Sequence, residues 1–154
     1  MYYSVGLEEN VEMLETLAVP IDSLDKRLKE LIPFGERIVY SSRAKISKPG
    51  WGQPSKHGYL VLTASGVAFR AEEEQSEKEV FEDYVPYIHM AEVKAKKGTV
   101  EFKIKDPEKL VVTGGWKLTV ERCDGEDKGS FKKREKLFQQ TFEELMKRRL
   151  AIYF

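Results

Sequence analysis

The hydrophobic positions of this chain change their spacing twice, from helical to alternating and then back to helical. Two N-terminal stretches have apolar residues every three or four positions: Leu7, Val11, Leu14 and Ala18, then Leu24, Leu28, Leu31 and Ile32. This spacing places the apolar side chains on one face of an α-helix. Val19-Pro20 separates the two stretches, because the residue before a proline is disfavoured in helical conformation. Residues 1–33 are therefore predicted to form a helical hairpin.

From Glu36 to about Cys123 the apolar residues alternate with polar ones, as they do in strands that bury one face. The predicted core-facing residues of the first strand are Ile38, Tyr40, Ala44 and Ile46. Ala64-Ser65-Gly66 is a turn between two strands, and residues 80–97 are one or two strands bent near Pro86. Two further strands carry Val100, Phe102 and Ile104, then Trp116, Leu118 and Val120. The pattern predicts about seven strands.

The last periodic segment, at about residues 130–149, predicts an amphipathic helix. Its apolar stripe consists of Phe138, Phe142, Leu145 and Leu150. Each phenylalanine can bury roughly 150–250 Å², so this helix is suited to close one end of a sheet.

Composition limits the classes of function. The chain has 26 basic and 26 acidic residues and a pI of about 6.8, which disfavours a nucleic-acid partner. Its N-terminus lacks a basic segment and its apolar runs are short, so we expect a soluble, cytoplasmic protein. The single cysteine, Cys123, excludes an internal disulfide, and no metal-ligand spacing occurs. One asparagine and four glutamines beside abundant Lys and Glu are typical of a thermophilic source.

Charge is segregated locally although the total is zero. Residues 37–71 carry six basic side chains and no acidic one: Arg37, Arg43, Lys45, Lys48, Lys56 and Arg70. Residues 72–83 carry seven acidic side chains and only Lys78 as a basic one. The basic run could form an anion-binding face, whereas the ordinary interpretation of both runs is a solvated surface.

The order of several short motifs resembles the pleckstrin-homology (PH) and GRAM-like superfamily, in the style of its bacterial and archaeal members. These motifs are Leu31-Ile32-Pro33-Phe34-Gly35-Glu36, the hairpin from Gly58 to Phe69, Val85-Pro86-Tyr87-Ile88, and the terminal helix. The resemblance implies a mainly β domain over residues 34–154, a bent antiparallel barrel of seven strands capped by the C-terminal helix. The helical hairpin of residues 1–33 would precede it.

The resemblance also implies a non-catalytic binding module without a cofactor. In phosphoinositide-binding relatives, basic residues of the first two strands hold phosphates, and the matching positions here are Arg43, Lys45, Lys48 and Lys56. The family signature has an arginine two positions after the last of these, where this chain has Gly58. Trp51, between two glycines in the same loop, could enter a membrane interface, contact a protein or cover the core.

Catalytic chemistry finds little support, because neither His57 nor His89 stands in a nucleophile motif. The leading hypothesis is protein–protein interaction, including self-association. The N-terminal hairpin would either mediate this association or dock on a partner, or it would pack against the barrel of its own chain. The alternative is peripheral binding to anionic lipid head groups through Arg43, Lys45, Lys48, Trp51 and Lys56.

Overall fold

The fold was analysed in a computed structural model that describes residues 26–48, 54–72 and 81–153. The helices of this part are α1 (Lys26–Leu31), a 3-10 helix (Tyr87–His89) and α2 (Lys128–Tyr153). The strands are β1 (Ile38–Ser47), β2 (Lys56–Thr63), β3 (Gly66–Ala71), β4 (Glu82–Pro86), β5 (Met90–Lys96), β6 (Thr99–Lys105) and β7 (Val112–Val120). The predicted strand count is confirmed, whereas the first predicted helix, over residues 7–18, lies outside the described residues.

All seven strands form one antiparallel sheet in the order β4-β3-β2-β1-β7-β6-β5. The long strand β1 joins the two halves of the sheet, β2–β4 and β5–β7. It pairs with β2 over most of its length and with β7 over Ala44–Ser47. The edge strands β4 and β5 are connected through the 3-10 helix. Residues distant in sequence therefore become neighbours across β1.

The core lies between one face of the sheet and helix α2. Phe138 of α2 contacts Tyr40, with ring centroids 5.3 Å apart, and Phe142 contacts Tyr87 at 6.0 Å. Both phenylalanines are fully buried. The helix predicted at about residues 130–149 is confirmed and closes the sheet with its aromatic stripe. No helix in the described residues is long and apolar enough to cross a membrane.

The first strand departs from its predicted alternation. A register shift between Ile38 and Tyr40 interrupts the pairing with β2. Val39 and Tyr40 both join the main core, while Ile38 packs in a separate cluster on the opposite face. The prediction that Ile38 faces the core together with Tyr40 is therefore wrong, because a bulge changes which face successive residues occupy.

Helix α1 covers part of the outer face of the sheet. Leu28 is fully buried against Val61 and Ala68, and Leu31 and Ile32 pack around them. The predicted stripe of this helix is confirmed for these three residues. The second helix of the predicted hairpin thus packs within its own chain.

Helix α2 is held at its start by two polar contacts. Asp127 caps it, since its carboxylate accepts the backbone N–H of Ser130 at 2.8 Å, and this bond lowers the pKa of Asp127. One turn further, the guanidinium of Arg134 is fully buried and donates to Glu126, to the Tyr40 hydroxyl and to the Glu121 carbonyl. This arginine connects the helix to the sheet.

Candidate functional site

The structure places four of the five predicted binding residues, and it divides them between two faces of the sheet. Arg43 and Lys45 alternate with the core residues of β1 and lie on the outer face. Lys56 pairs in register with the core residue Ile46, so it lies on the inner face, where β1 ends and β2 begins. Lys48 lies at the same end, and Trp51 is outside the described residues. Sequence proximity alone therefore does not make these residues one site.

On the outer face, the basic and acidic runs meet and compensate each other. Arg43 forms an ion pair with Glu72 and its guanidinium lies 5.3 Å from the Tyr59 ring centroid. The hydrogen bond with Glu72, opposed by partial burial, raises the pKa of Arg43. In β3, two strands away from Arg43, Arg70 forms an ion pair with Glu82 of β4, which is opposite it in register. Two of the six basic residues are thus neutralised by the adjacent acidic run.

On the inner face, Lys48 lies beside aromatic side chains. Its ammonium group is 5.0 Å from the centroid of the Phe81 ring. Phe81 makes an edge contact with Trp116, which in turn contacts Phe102, both at 5.7 Å between centroids. Lys48 and Lys56 therefore lie at an end of the barrel where aromatic rings extend to the core.

Four large aliphatic side chains are exposed at one end of the β5–β7 half: Ile88, Leu110, Val111 and Val112. Between 51% and 67% of each residue's surface is accessible. Lys105 pairs with Val112 across β6 and β7, and Met90 pairs with Ile104. Residue 88 therefore lies beside the start of the β6–β7 loop that carries Leu110 and Val111. We call these four residues the aliphatic patch.

A second basic surface lies on the outer face of the same half-sheet. It consists of exposed lysines from four strands, here called the lysine face: Lys45, Lys94, Lys96, Lys103, Lys105 and Lys117. One cross-strand row runs Lys96, Thr99, Thr119, Lys45 and another runs Lys94, Glu101, Lys117. Lys103 pairs with Glu92. Across the described ranges, no ion pair joins Lys45, Lys96, Lys105 or Lys117 to an acidic group.

The fold was compared with known proteins. No protein-family model matches the chain, and neither does the sequence of any curated protein. The PDZ-RhoGEF DH/PH domains, solved in complex with GTP-γS-activated RhoA, match with a TM-score of 0.51 at 9% identity. That match covers 93% of this chain, which spans 39% of the length of the PDZ-RhoGEF chain. The chain has a PH-like fold.

Two further structures show weaker likeness. The Slm1 PH domain in complex with inositol-4-phosphate matches with a TM-score of 0.43 at 10% identity, covering 71% of this chain and 94% of that one. The C-terminal domain of an unknown protein from Leishmania infantum matches with a TM-score of 0.45 at 14% identity. That match covers 73% of this chain and 86% of that one.

Within this PH-like fold, Gly58 occupies a position that cannot hold a side chain. It lies between Ala44 of β1 and Ala71 of β3. A Cβ atom at Gly58 would be 2.1 Å from the Arg70 carbonyl oxygen. A side chain at position 58 would therefore require the backbone of β3 to move.

The lysine face and the aliphatic patch were not identified from the sequence, although signals for both were present. In β6 the outward positions are Glu101, Lys103 and Lys105, which the alternating pattern already placed on one face. Leu110-Val111-Val112 is an apolar run that breaks the alternation before Gly114-Gly115. The lysine face could not be predicted because the sequence does not reveal the strand order, and only that order brings Lys45 beside the lysines of β5–β7.

Among the described residues, neither histidine belongs to a group that could hold a metal ion. His57 contacts the Glu121 carboxylate through Nδ1 at 2.8 Å. Within the part of the chain that the structure describes, no three His, Cys, Asp or Glu side chains are grouped so that they could hold a metal ion.

Proposed function

We propose that this chain is a non-catalytic binding module whose main contact is with a protein partner, including a second copy of itself. The observation that carries the proposal is the aliphatic patch. Single exposed apolar residues are ordinary, but contiguous ones are typical of interaction surfaces. Burying four such side chains would stabilise a complex, because each loses apolar surface to water when the partner covers it.

The non-catalytic part of this proposal is supported by the contacts of the two groups best able to react. His57 contacts the Glu121 carboxylate, and the Cys123 sulfur lies 3.7 Å from the Arg134 guanidinium. Neither contact joins a nucleophile to a base. A nucleophile needs a base within hydrogen-bond reach. A PH-like fold by itself does not determine function, although the PDZ-RhoGEF DH/PH structure is itself a complex with a protein.

Photo-cross-linking in cells of the source organism tests this proposal. A benzoylphenylalanine at position 111 of the full chain is expected to give discrete cross-linked protein species. The same group at Lys132, an exposed residue of α2, is the matched control. Introducing Leu110→Asp together with Val112→Asp should remove the products from position 111, because two charges would then be buried in an apolar contact. Equal backgrounds from both positions would contradict the proposal.

Anionic lipid is the second candidate, and the arrangement of Lys48 and Lys56 favours it. Both lie where β1 ends and β2 begins, and the Lys48 ammonium group is 5.0 Å from the centroid of the Phe81 ring. Each lysine near an anionic surface contributes about 1 kcal/mol. Trp51 of the intervening loop remains part of this candidate site as a prediction.

Vesicle co-sedimentation measures how much the inner face, with Lys48 and Lys56, and the outer face, with Arg43, each contribute to lipid binding. Lys48→Glu combined with Lys56→Glu is expected to weaken binding to phosphatidylserine-rich vesicles at least about tenfold at low salt. Arg43→Gln should leave binding unchanged, because Glu72 already compensates this charge. Binding that is equally weak for all three proteins, wild type included, would reject the lipid candidate.

A further inference from the structure

We infer that the first predicted helix, residues 7–18, packs against α1 of its own chain and covers the exposed side chain of Phe34. The inference goes beyond the proposed function, because it assigns an occupant to a second apolar surface that shares no residue with the aliphatic patch. It makes the N-terminal hairpin an internal part of the domain. A protein partner, including a second copy, then binds at the aliphatic patch rather than at the hairpin.

Phe34 is an exposed aromatic residue held at the tip of a turn. Its whole surface is accessible to solvent. The backbone N–H of Glu36 donates to the Pro33 carbonyl at 3.1 Å, and Gly35 has a φ of 80°. These are the features of a β-turn with glycine at its third position. The turn therefore fixes the backbone of Phe34 while its ring stays out of contact with the sheet.

A hollow of about 660 Å³ lies beside Phe34. Its apolar lining, here called the Phe34 hollow, consists of Leu31, Ile32, Pro33, Phe34 and Ile38. Exposed Lys29 and Glu30 of α1 border it. A fully exposed ring next to further apolar side chains is typical of a surface that another element covers, because its burial removes a large apolar area from water.

The first predicted helix has side chains that suit this surface. Its apolar stripe consists of Leu7, Val11, Leu14 and Ala18. At about 100° per residue, Glu8, Glu12 and Glu15 all fall on one side of that stripe. Helix α1 has the opposite charge, since its six residues include three basic side chains and one acidic one. Packing the two helices side by side therefore brings unlike charges together.

The two elements also agree in length. Twelve helical residues, 7–18, span about 18 Å. The six residues of α1 span about 9 Å, and the three residues from Ile32 to Phe34 extend this by up to about 10 Å. An antiparallel helix with Ala18 beside the start of α1 therefore brings Leu7 level with Phe34.

The connection between the helices selects the same chain over a second copy. Only seven residues, 19–25, join the first predicted helix to α1. They reach up to about 23 Å, and packed helices need only about 8–10 Å between their axes, so the chain can reverse direction here. A connection this short holds the helix at a roughly millimolar effective concentration. A second copy at micromolar concentration cannot compete with it.

The other acidic segment of the chain, residues 72–83, does not fit the Phe34 hollow. It has only two apolar residues, Val80 and Phe81, and they are adjacent in sequence rather than spaced along one helical face. Phe81 already contacts Trp116 on the inner face of the sheet, at 5.7 Å between ring centroids. The apolar pattern, rather than charge, therefore selects the N-terminal segment.

Photo-cross-linking from position 34 of the purified full-length protein tests this inference. Benzoylphenylalanine is suited to replace Phe34, because the native side chain is fully exposed and contributes no packing. Mass spectrometry should place the links within residues 7–18 of the monomer. A mixture of ¹⁵N-labelled and unlabelled protein should give no mixed-isotope products, since these arise only between two copies. Links confined to residues outside 7–18, a majority of mixed-isotope products, or the absence of links would overturn the inference.

Two pairs of substitutions in the helix provide a matched comparison. Val11→Asp with Leu14→Asp should lower the yield of the links at least about fivefold, because charges on the stripe cannot be buried in an apolar hollow. The control pair, Met13→Asp with Thr16→Asp, lies away from the stripe and should leave the yield within about twofold. Equal losses for the two pairs would contradict the predicted face of contact.

Hydrogen exchange measures the same contact without a cross-linker. The backbone amides of residues 7–18 should exchange at least about tenfold faster in Phe34→Asp than in the wild type, because a helix of this length is marginal without packing. The control is Leu110→Asp, which changes an exposed residue of the aliphatic patch and should leave this exchange unaltered. Unchanged exchange in Phe34→Asp would overturn the inference. Photo-cross-linking from position 111 tests the proposed function separately.

Discussion

Replacing Arg134 with methionine is expected to lower the free energy of unfolding by about 3 kcal/mol or more, because it leaves buried polar partners unsatisfied. The guanidinium donates to Glu126 at 2.8 and 2.9 Å and to the Tyr40 hydroxyl at 2.8 Å. Hydrogen bonding from Arg134 lowers the pKa of Glu126, although burial opposes this shift. Chemical denaturation of the full chain measures the effect.

The matched control for this prediction is Lys133→Met, the exposed neighbour of Arg134 on the same helix. It should change stability by no more than about 0.5 kcal/mol. Adding Glu126→Gln to the Arg134 variant should recover part of the loss, because the carboxylate that lost its partner is then neutral. A loss within about 1 kcal/mol of the control would show that Arg134 does not anchor the helix.

The same contact predicts a pH dependence. Glu126 has a pKa below its ordinary value of 4.5 in the folded protein. Its contribution to stability is therefore complete above about pH 4.5 and is lost as the pH falls through the lowered value. Between pH 5 and 3 the unfolding midpoint of the wild type should fall more steeply than that of Glu126→Gln.

Gly58→Ala is expected to have the second large effect, a loss of about 3 kcal/mol. The added methyl group would be 2.1 Å from the Arg70 carbonyl oxygen and 2.7 Å from the Ala71 Cα. Both are backbone atoms of β3, so they cannot move without disturbing the pairing of β2 with β3. For a domain of this size, the thermal midpoint should fall by about 6–12 °C.

Gly114→Ala is the matched control in the same sheet. A Cβ at Gly114 has no neighbour within 4 Å. This substitution should be neutral or should stabilise the protein by less than about 1 kcal/mol, since alanine restricts the unfolded chain. Equal midpoints for the two variants would show that the close approach of β2 and β3 is not rigid.

Local periodicity was sufficient to predict most of the architecture. The strands β6 and β7 and the terminal helix were recognisable because each buries one face, and burial imposes a repeat of two or 3.6 residues. The same argument identified Leu28, Leu31 and Ile32 as a buried stripe. It failed at Ile38, where a bulge shifts the register, because a bulge is specified by the pairing of two strands.

Arg134 was missed although its position carries a signal. It lies four residues before Phe138 on the apolar stripe of α2. A charged residue on such a stripe needs buried partners, and Glu126 and Tyr40 supply them. The partner Tyr40 is 94 positions away in the chain, so only the packed structure reveals it.

The arrangement of charged side chains was the feature of this protein that depended most on tertiary structure. The sequence by itself determined how many charges the chain has and which strand faces carry them. Only the tertiary structure decided which charges meet: pairing of β3 with β4 places Glu82 beside Arg70, and pairing of β1 with β7 places Lys45 beside Thr119. Coulomb interactions between solvated groups act over a Debye length of about 8 Å. No local sequence pattern encodes the strand order. That order places acidic side chains beside part of the basic run on the outer face of β1–β4, and it brings the lysines of the lysine face together on β1 and β5–β7.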